Sequence, residues 1–211
     1  IQKVGKEREW DETTFKIVDA KLAIMREDYA AATKLLAEAN RLSPKNVEIL
    51  RLALQVAMLK PDSDPEQTMK LWQRIIDEFG DQPGLRLDKA DILIRLHAGK
   101  ANKDELKAEL ASLATRVDDW TTAQKVQLWG GLARRCLSLG MQDEARQFLT
   151  LSAEAQPNEL PLRISLFALA LEANDDAGMK EAQDKILEIV GSTNDSAWLY
   201  SEARRRLSLV L

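Results

Sequence analysis

The residue types that most often carry catalysis or bind metals are scarce in this sequence. Its 211 residues include one cysteine, Cys136, and one histidine, His97. A single cysteine excludes an internal disulfide, and one thiol with one imidazole leaves little for a metal cluster or a catalytic triad. The composition therefore predicts no catalytic residue, no metal site and no cofactor, and a protein that is not an enzyme.

Each of these two residues has a structural explanation. We expect Cys136 to pack between helices as a small apolar side chain, because a reactive thiol needs an exposed, electropositive site. His97 is predicted to lie near a helix C-terminus, where a partial positive charge on its ring is stabilised. Neither residue therefore indicates catalysis.

The remaining motifs that could do chemistry also have structural explanations. No Gly-rich loop followed by Lys-Ser or Lys-Thr is present to bind a phosphate. Gly130-Gly131 lies in a predicted helix and suggests crowding by a neighbouring helix, at a cost of about 1 kcal/mol per glycine. The acidic pairs Asp118-Asp119 and Asp175-Asp176 precede helices, where carboxylates cap the helix N-terminus. The basic run Arg204-Arg205-Arg206 does not form one patch, because successive helical residues point about 100° apart.

Charge and hydropathy argue against nucleic acid and against a membrane span. The chain has 30 Lys and Arg against 34 Asp and Glu, a net charge of −4 and a pI near 5.3, whereas a phosphate-binding surface usually shows a basic excess. The mean hydropathy is −0.31, and the longest apolar runs, such as residues 164–171, are too short to cross a bilayer. We predict neither a nucleic-acid partner nor a membrane span.

The elements that position these residues are predicted to be helices. Nine glycines and six prolines make up about 7 % of the chain, against about 12 % on average, so turns are few. Apolar side chains recur every three or four residues, as at Phe15, Val18, Leu22 and Met25. Asp28 caps the start of the next such stripe, and Pro44 ends it. Residues 12–43 are therefore predicted to form a helix, a tight turn and a second helix.

This helix–turn–helix unit recurs along the chain. The predicted repeats cover residues 13–46, 47–82, 83–120, 122–158 and 159–193, and a terminal helix covers 195–211. A small residue recurs in the first helices about every 37 residues, at Ala20, Ala53, Ala90, Ala133, Ala168 and Ala203. The second helices carry a small, a large and an apolar residue in turn, for example Ala32, Leu36 and Ala39 or Ala182, Ile186 and Ile189. We predict eleven helices and no strand, in pairs that stack because no pair buries its apolar face alone.

The fourth repeat follows a known pattern, and this pattern extends in looser form over about residues 13–207. Its residues are Trp129, Leu132, Ala133 and Cys136 in the first helix, then Gly140, Ala145, Leu149 and Pro157. In these positions the sequence resembles the tetratricopeptide repeat (TPR) family, whose first helix carries Trp, Leu, Gly or Ala, and Tyr. The resemblance implies an all-α fold, an α-α superhelix (solenoid) of about five helix–turn–helix repeats plus a C-terminal helix, in a single domain over residues 1–211. The sequence departs from the family at Lys16 and Asp19, and in repeats two, three and five, where we predict a turn two to four residues longer.

The resemblance also indicates where a partner would bind. In this family a concave groove is lined by the second, fifth, ninth and twelfth side chains of each first helix, which in repeat five are Leu162, Ser165, Leu169 and Glu172. The predicted peptide-binding residues are Ile17, Lys21, Leu50, Leu54, Leu87, Asp91, Arg134 and Tyr200. The groove is mainly aliphatic, which favours an apolar helix or extended peptide held by the Ile and Leu anchors. Its cations, Lys21, Arg134 and Arg204, are too few for the set of Lys, Asn and Arg with which some members hold a C-terminal carboxylate.

The sequence thus predicts a scaffold that binds a peptide or helix of a partner protein, with self-association left open. One alternative is a pentatricopeptide-like RNA-binding array, against which the acidic charge and the lack of a repeated polar base-reading pair argue. Another is a non-catalytic assembly segment of a larger enzyme or envelope complex. The start at Ile1 and the apolar end at 207–211 predict a fragment of a longer chain. The lack of disulfides fits the cytoplasm, and a bacterial envelope is also compatible.

Overall fold

The computed structural model describes residues 11–99 and 103–208, and there it contains eleven helices and no strand, as predicted. The helices are α1 (Glu12–Met25), α2 (Tyr29–Leu42), α3 (Val47–Leu59), α4 (Pro65–Phe79), α5 (Pro83–Leu96), α6 (Lys103–Leu113), α7 (Thr122–Ser138), α8 (Gln142–Ala155), α9 (Leu160–Glu172), α10 (Asp176–Val190) and α11 (Ser196–Ser208). The all-α repeat architecture that the sequence predicts is therefore confirmed.

Side-chain caps fix where several helices begin. The Asp28 carboxylate accepts a hydrogen bond from the Ala31 amide at 2.9 Å, and Asp64 caps α4 in the same way. Such a cap satisfies one of the free N–H groups of the first helical turn. At α7 the cap is Thr121, which forms a reciprocal pair with Gln124, and the acidic pair Asp118-Asp119 is not the cap. From the sequence, Asn102 is a further predicted helix cap, with Glu105 three residues later, and it lies outside the described residues.

The chain divides into two compact units at Lys103 and Asp104, which falls inside the predicted third repeat. The N-terminal unit contains two cores, both of which include residues of α3. The first core, formed by α1, α2 and α3, includes Ile17, Ala20, Leu36, Ile49, Leu52 and Val56. The second core, formed by α3, α4 and α5, includes Leu50, Leu54, Trp72, Ile75, Leu85 and Ile92. Helix α3 therefore has two buried faces.

In the C-terminal unit, α7 packs against α8, and α9 packs against both α8 and α10. The α7 and α8 side chains with little or no exposed surface include Leu128, Leu132, Cys136, Ala145 and Leu149. A further core, formed by α9, α10 and α11, includes Phe167, Ala170, Met179, Ala182 and Ile186. Helix α11 closes this core with the partly buried Ala197 and Trp198.

The turns inside repeats one, four and five are alike, which corrects the predicted register of repeat five. In each, three residues join the helices and the middle one is left-handed, with φ of 60° at Glu27, 69° at Gly140 and 52° at Asn174. The residue after it donates its amide to a carbonyl five residues earlier, at Ala23, Cys136 and Ala170 respectively. The longer turn predicted for repeat five is therefore wrong, whereas repeat two does have five residues, 60–64, between its helices.

This correction changes which residues of α9 are buried. Ala170 takes the place of Ala23 and Cys136, and Phe167 takes the place of Ala20 and Ala133. Ala168, the predicted packing residue, is exposed. Successive residues of a helix point about 100° apart, so an error of one residue in the register is enough to assign an exposed side chain to the core. Ala203 in α11 is also exposed, and Ser201 is buried instead.

Candidate functional site

Three of the predicted peptide-binding residues lie in the core of the N-terminal unit. Ile17 is 6 % exposed within the first core, and Leu50 and Leu54 are 4 % and 0 % exposed within the second. The prediction treated them as apolar anchors on an open surface. Because the repeats use them to pack neighbouring helices together, the structure does not support them as contacts of a partner.

The other predicted residues of the N-terminal unit are more accessible. Lys21 on α1 is exposed, and its ammonium group forms an ion pair with Glu48 of α3 at 2.6 Å. Exposed pairs of this kind contribute about 0.2–1 kcal/mol, so Lys21 is held only weakly. Leu87 and Asp91 are half-buried, four residues apart on α5. These three remain candidate contacts, and they lie on α1 and α5 of one unit.

The predicted residues of the C-terminal unit, Arg134 on α7 and Tyr200 on α11, are both exposed. The guanidinium carbon of Arg204 lies 5.9 Å from the centre of the Tyr200 ring, within the range of a cation–π contact. The neighbouring arginines have separate carboxylate partners, because Arg205 pairs with Asp176 at 2.6 Å and Arg206 pairs with Glu202. The three arginines therefore do not form one basic patch, as predicted.

The corrected register identifies a surface that the sequence analysis missed in α9. By alignment of the turns, Pro161, Ile164 and Ala168 correspond to Gln127, Gly130 and Arg134 of α7. All three α9 residues are exposed, whereas the predicted groove residue Leu169 is 5 % exposed. The signal that could have found them is the Asn174-Asp175 turn, which repeats the left-handed residue and cap of Glu27-Asp28.

We call these exposed positions the first-helix surface. It consists of Gln127, Arg134 and Leu137 on α7 and Pro161, Ile164 and Ala168 on α9. Leu137 and Ile164 are 41 % and 36 % exposed, and they give this surface two aliphatic side chains on consecutive first helices. Gly130 adjoins this surface on α7, and a Cβ added to it would meet no atom within 4 Å. The predicted crowding at Gly130 is therefore wrong.

Cys136 and His97, the single cysteine and the single histidine, lie where the sequence predicts them. Cys136 is fully buried, and burial raises the pKa of its thiol to about 11. A thiol with that pKa stays protonated and unreactive at neutral pH. His97 is the C-cap residue of α5, and its amide donates to the Leu93 carbonyl at 3.0 Å.

Within residues 11–99 and 103–208, no group of three or more His, Cys, Asp or Glu side chains is placed to hold a metal ion. In the same ranges, every helix is too short or too polar to pass through a lipid bilayer.

The arrangement of helices is similar to that of solved repeat proteins. A thermophilic TPR protein of Thermus thermophilus has a TM-score of 0.50 and 16 % identity, with 94 % of this chain and 100 % of that chain covered. The chain has the tetratricopeptide repeat fold. PilF of Pseudomonas aeruginosa (TM-score 0.54, 11 % identity, 93 % and 84 % covered) and the MamA protein (0.52, 14 %, 86 % and 93 %) have similar structures.

The likeness to these TPR and other structures concerns the fold alone, because every identity is low. No family model matches the sequence, and no curated protein matches it. In a TPR fold the first helices of consecutive repeats share one side of the array. In the C-terminal unit the first-helix surface lies on α7 and α9, which are the first helices of repeats four and five. Function is therefore argued from that surface and not from a relative.

Proposed function

We propose that the protein is an interaction scaffold and that the first-helix surface of its C-terminal unit binds a segment of a partner protein. The observation that carries this proposal is the exposure of Leu137 and Ile164 on consecutive first helices, with Arg134 about one turn before Leu137 on α7. Complete burial of a fully exposed side chain of this kind contributes about 1.5–3 kcal/mol, so covering the part of Leu137 or Ile164 that is still exposed contributes roughly 0.6–1.2 kcal/mol each. Two such anchors with a neighbouring guanidinium are typical of a small protein-binding surface.

The charge and the side-chain types of the first-helix surface favour a protein partner over a nucleic acid. Among the six members of the first-helix surface, Arg134 is the one cation. Single-stranded nucleic acid is usually bound by rows of cations together with exposed aromatic rings. Arginine, leucine, isoleucine, proline and alanine side chains fit a peptide or helix with apolar residues better. Lys21, Leu87, Asp91 and Tyr200 stay candidate contacts for the same partner or for a second one.

Site-specific photo-crosslinking in the cells that make the protein tests this proposal. Benzoylphenylalanine replaces Ile164 on the first-helix surface, and a matched control carries it at Leu42, an exposed residue at the end of the second helix α2. We expect a crosslinked protein product from position 164 and none from position 42. Because Leu42 is 47 % exposed, more than Ile164, exposure alone would favour the control. Equal products from the two positions, or none from 164, would contradict the proposal.

A further inference from the structure

Helix α11 carries an apolar stripe that stays uncovered in the described part of the chain. Leu199 and Leu207 are 49 % and 59 % exposed, and Ala203, midway between them, is exposed as well. Residues four apart lie on the same face of a helix, so these three side chains form one line, which we call the α11 stripe. The other side of α11 faces the core of its unit, where Ser201 is 1 % exposed and Trp198 is partly buried. The α11 stripe is therefore not used to fold the unit.

Charged and aromatic side chains border the α11 stripe on both sides. At about 100° per residue, Glu202 and Arg206 lie on one side of Ala203. Tyr200 and Arg204 lie on the other side, with the Arg204 guanidinium carbon 5.9 Å from the centre of the Tyr200 ring. Glu202 pairs with Arg206, whose side chain is 76 % exposed, and Tyr200 is 55 % exposed. A neighbouring molecule can therefore reach one cation and one aromatic ring beside the stripe.

The apolar residues of the stripe complement themselves when two copies of α11 run antiparallel. With the two-fold axis at Ala203, Leu199 of each copy lies opposite Leu207 of the other, because both are four residues from the axis. The two Ala203 side chains meet at the axis, and their small size lets the helices approach closely. Two contacts between leucines thus flank one close contact between alanines.

The borders of the stripe also match in this arrangement. In an antiparallel pair each border meets the same border of the second copy, as in any isologous contact. Arg206 of one copy then lies within one helical turn of Glu202 of the other, which adds an attraction between opposite charges. On the other border, the Tyr200 ring lies next to Leu207 of the second copy and covers it. Because one helix supplies both halves of this match, we assign a second copy as the occupant of the stripe.

We propose that the α11 stripe is a contact between two copies of this chain, with the two α11 helices packed antiparallel about Ala203. A helix of 13 residues is about 20 Å long. One pair of such helices covers less surface than the roughly 1,200–2,000 Å² of a stable interface, so we expect a weak dimer with a micromolar or higher dissociation constant. The contact uses neither Leu137 nor Ile164, so it goes beyond the proposed function.

Sedimentation velocity of the full chain, from low micromolar to near millimolar concentration, tests the contact. We expect a monomer at the lower end and a dimer that increases with concentration. Leu207→Asp should raise the dissociation constant at least about tenfold, because a two-fold contact loses two leucines at once and gains two charges. Leu137→Asp on α7 changes another exposed leucine of the same unit and should dimerise like the wild type.

Three results would overturn the proposal. The first is a wild type that stays monomeric over the whole concentration range. The second is a Leu207→Asp variant that is folded by circular dichroism and dimerises as well as the wild type. The third is a folded Leu137→Asp variant that no longer dimerises, because the copies would then meet through the first-helix surface.

Disulfide crosslinking tests the antiparallel order. One preparation carries Leu199→Cys and another carries Leu207→Cys, and the two are mixed under mild oxidation. The native Cys136 does not compete, because it is fully buried and its thiol pKa is raised to about 11. We expect products that join position 199 to position 207 to exceed their statistical share in mass spectrometry of the digested dimer. A statistical mixture, or an excess of products that join equal positions, would overturn the antiparallel contact.

Discussion

Gly130 and Gly178 form a matched pair that tests the packing of the C-terminal unit. Both lie in helices of this unit, Gly130 in the middle of α7 and Gly178 in the first turn of α10. Glycine in a helix interior is about 0.5–1 kcal/mol less stable than alanine, because the unfolded chain loses more freedom on folding. Whether substitution by alanine stabilises or destabilises the protein then depends on whether the added Cβ has space.

The structure predicts that alanine stabilises the protein at position 130 and destabilises it at position 178. At Gly130 the Cβ would have no neighbour within 4 Å, so Gly130→Ala should stabilise the unit by about 0.5–1 kcal/mol. At Gly178 the Cβ would lie 2.5 Å from Asp175 Oδ2 and 3.2 Å from the Ala170 Cβ. The Asp175 carboxylate would have to leave both the Gly178 amide and Arg146, and loss of such a cap costs about 0.5–2 kcal/mol.

Thermal and urea unfolding, monitored by circular dichroism, measure the change in stability of both variants. For a chain of this length, 1 kcal/mol corresponds to a change in the melting temperature of about 2–4 °C. We expect Gly130→Ala to raise the melting temperature and Gly178→Ala to lower it. A lower melting temperature for Gly130→Ala would show that α7 is crowded at this position, as the sequence analysis supposed, and would refute the reasoning.

Three further predictions concern the core, the thiol and one helix cap. Leu54→Ala should destabilise the protein by about 2–5 kcal/mol in urea unfolding, because Leu54 is fully buried, whereas Leu137→Ala should change stability by less than about 0.5 kcal/mol; equal effects would contradict the assignment of Leu54 to the core. Cys136, with its pKa raised to about 11, should react with a thiol reagent at about pH 8 roughly tenfold or more slowly in the folded protein than in urea, and fast labelling of the folded protein would contradict its burial. The Gly178 amide and then the Arg146 guanidinium hold the pKa of Asp175 below its usual value, so its stabilising effect is present above about pH 4 and is lost as the pH falls through the lowered pKa. The difference in unfolding free energy between the wild type and Asp175→Asn should therefore shrink as the pH falls from about 5 to about 2, a range that spans the ordinary carboxyl pKa, and a constant difference would contradict the cap.

The sequence predicts the helices well because local chemistry sets their ends. Helix α3, Val47–Leu59, begins at the predicted start of repeat two, and α10, Asp176–Val190, lies within the predicted repeat five. The Asn46 side chain caps α3 at its start, and Gly191, with a φ of 69°, ends α10. Caps and left-handed glycines act within a few residues, so they can be found without knowledge of the tertiary structure.

The functional surface is harder to predict because it depends on which neighbour a helix face meets. Helix α3 packs on helices on both sides, so Leu50 and Leu54, which fit a groove pattern, are buried. In α9 the sequence offers alanine at both 168 and 170, and composition does not say which of them faces the core. The hydrogen bond from the Asp175 amide to the Ala170 carbonyl fixes the register, and with it the burial of Ala170. This hydrogen bond forms only in the folded turn.

The central claim is that the first-helix surface binds a protein partner, and one affinity measurement tests it most directly. The partner crosslinked at position 164 is titrated by calorimetry against the wild type and against the double variant Leu137→Asp, Ile164→Asp. If both anchors are buried in the complex, the dissociation constant should rise about tenfold, since covering the exposed parts of the two side chains contributes roughly 1–2 kcal/mol in total, while circular dichroism shows that the variant stays folded. An equal dissociation constant for the two proteins, with both of them folded, would contradict the claim.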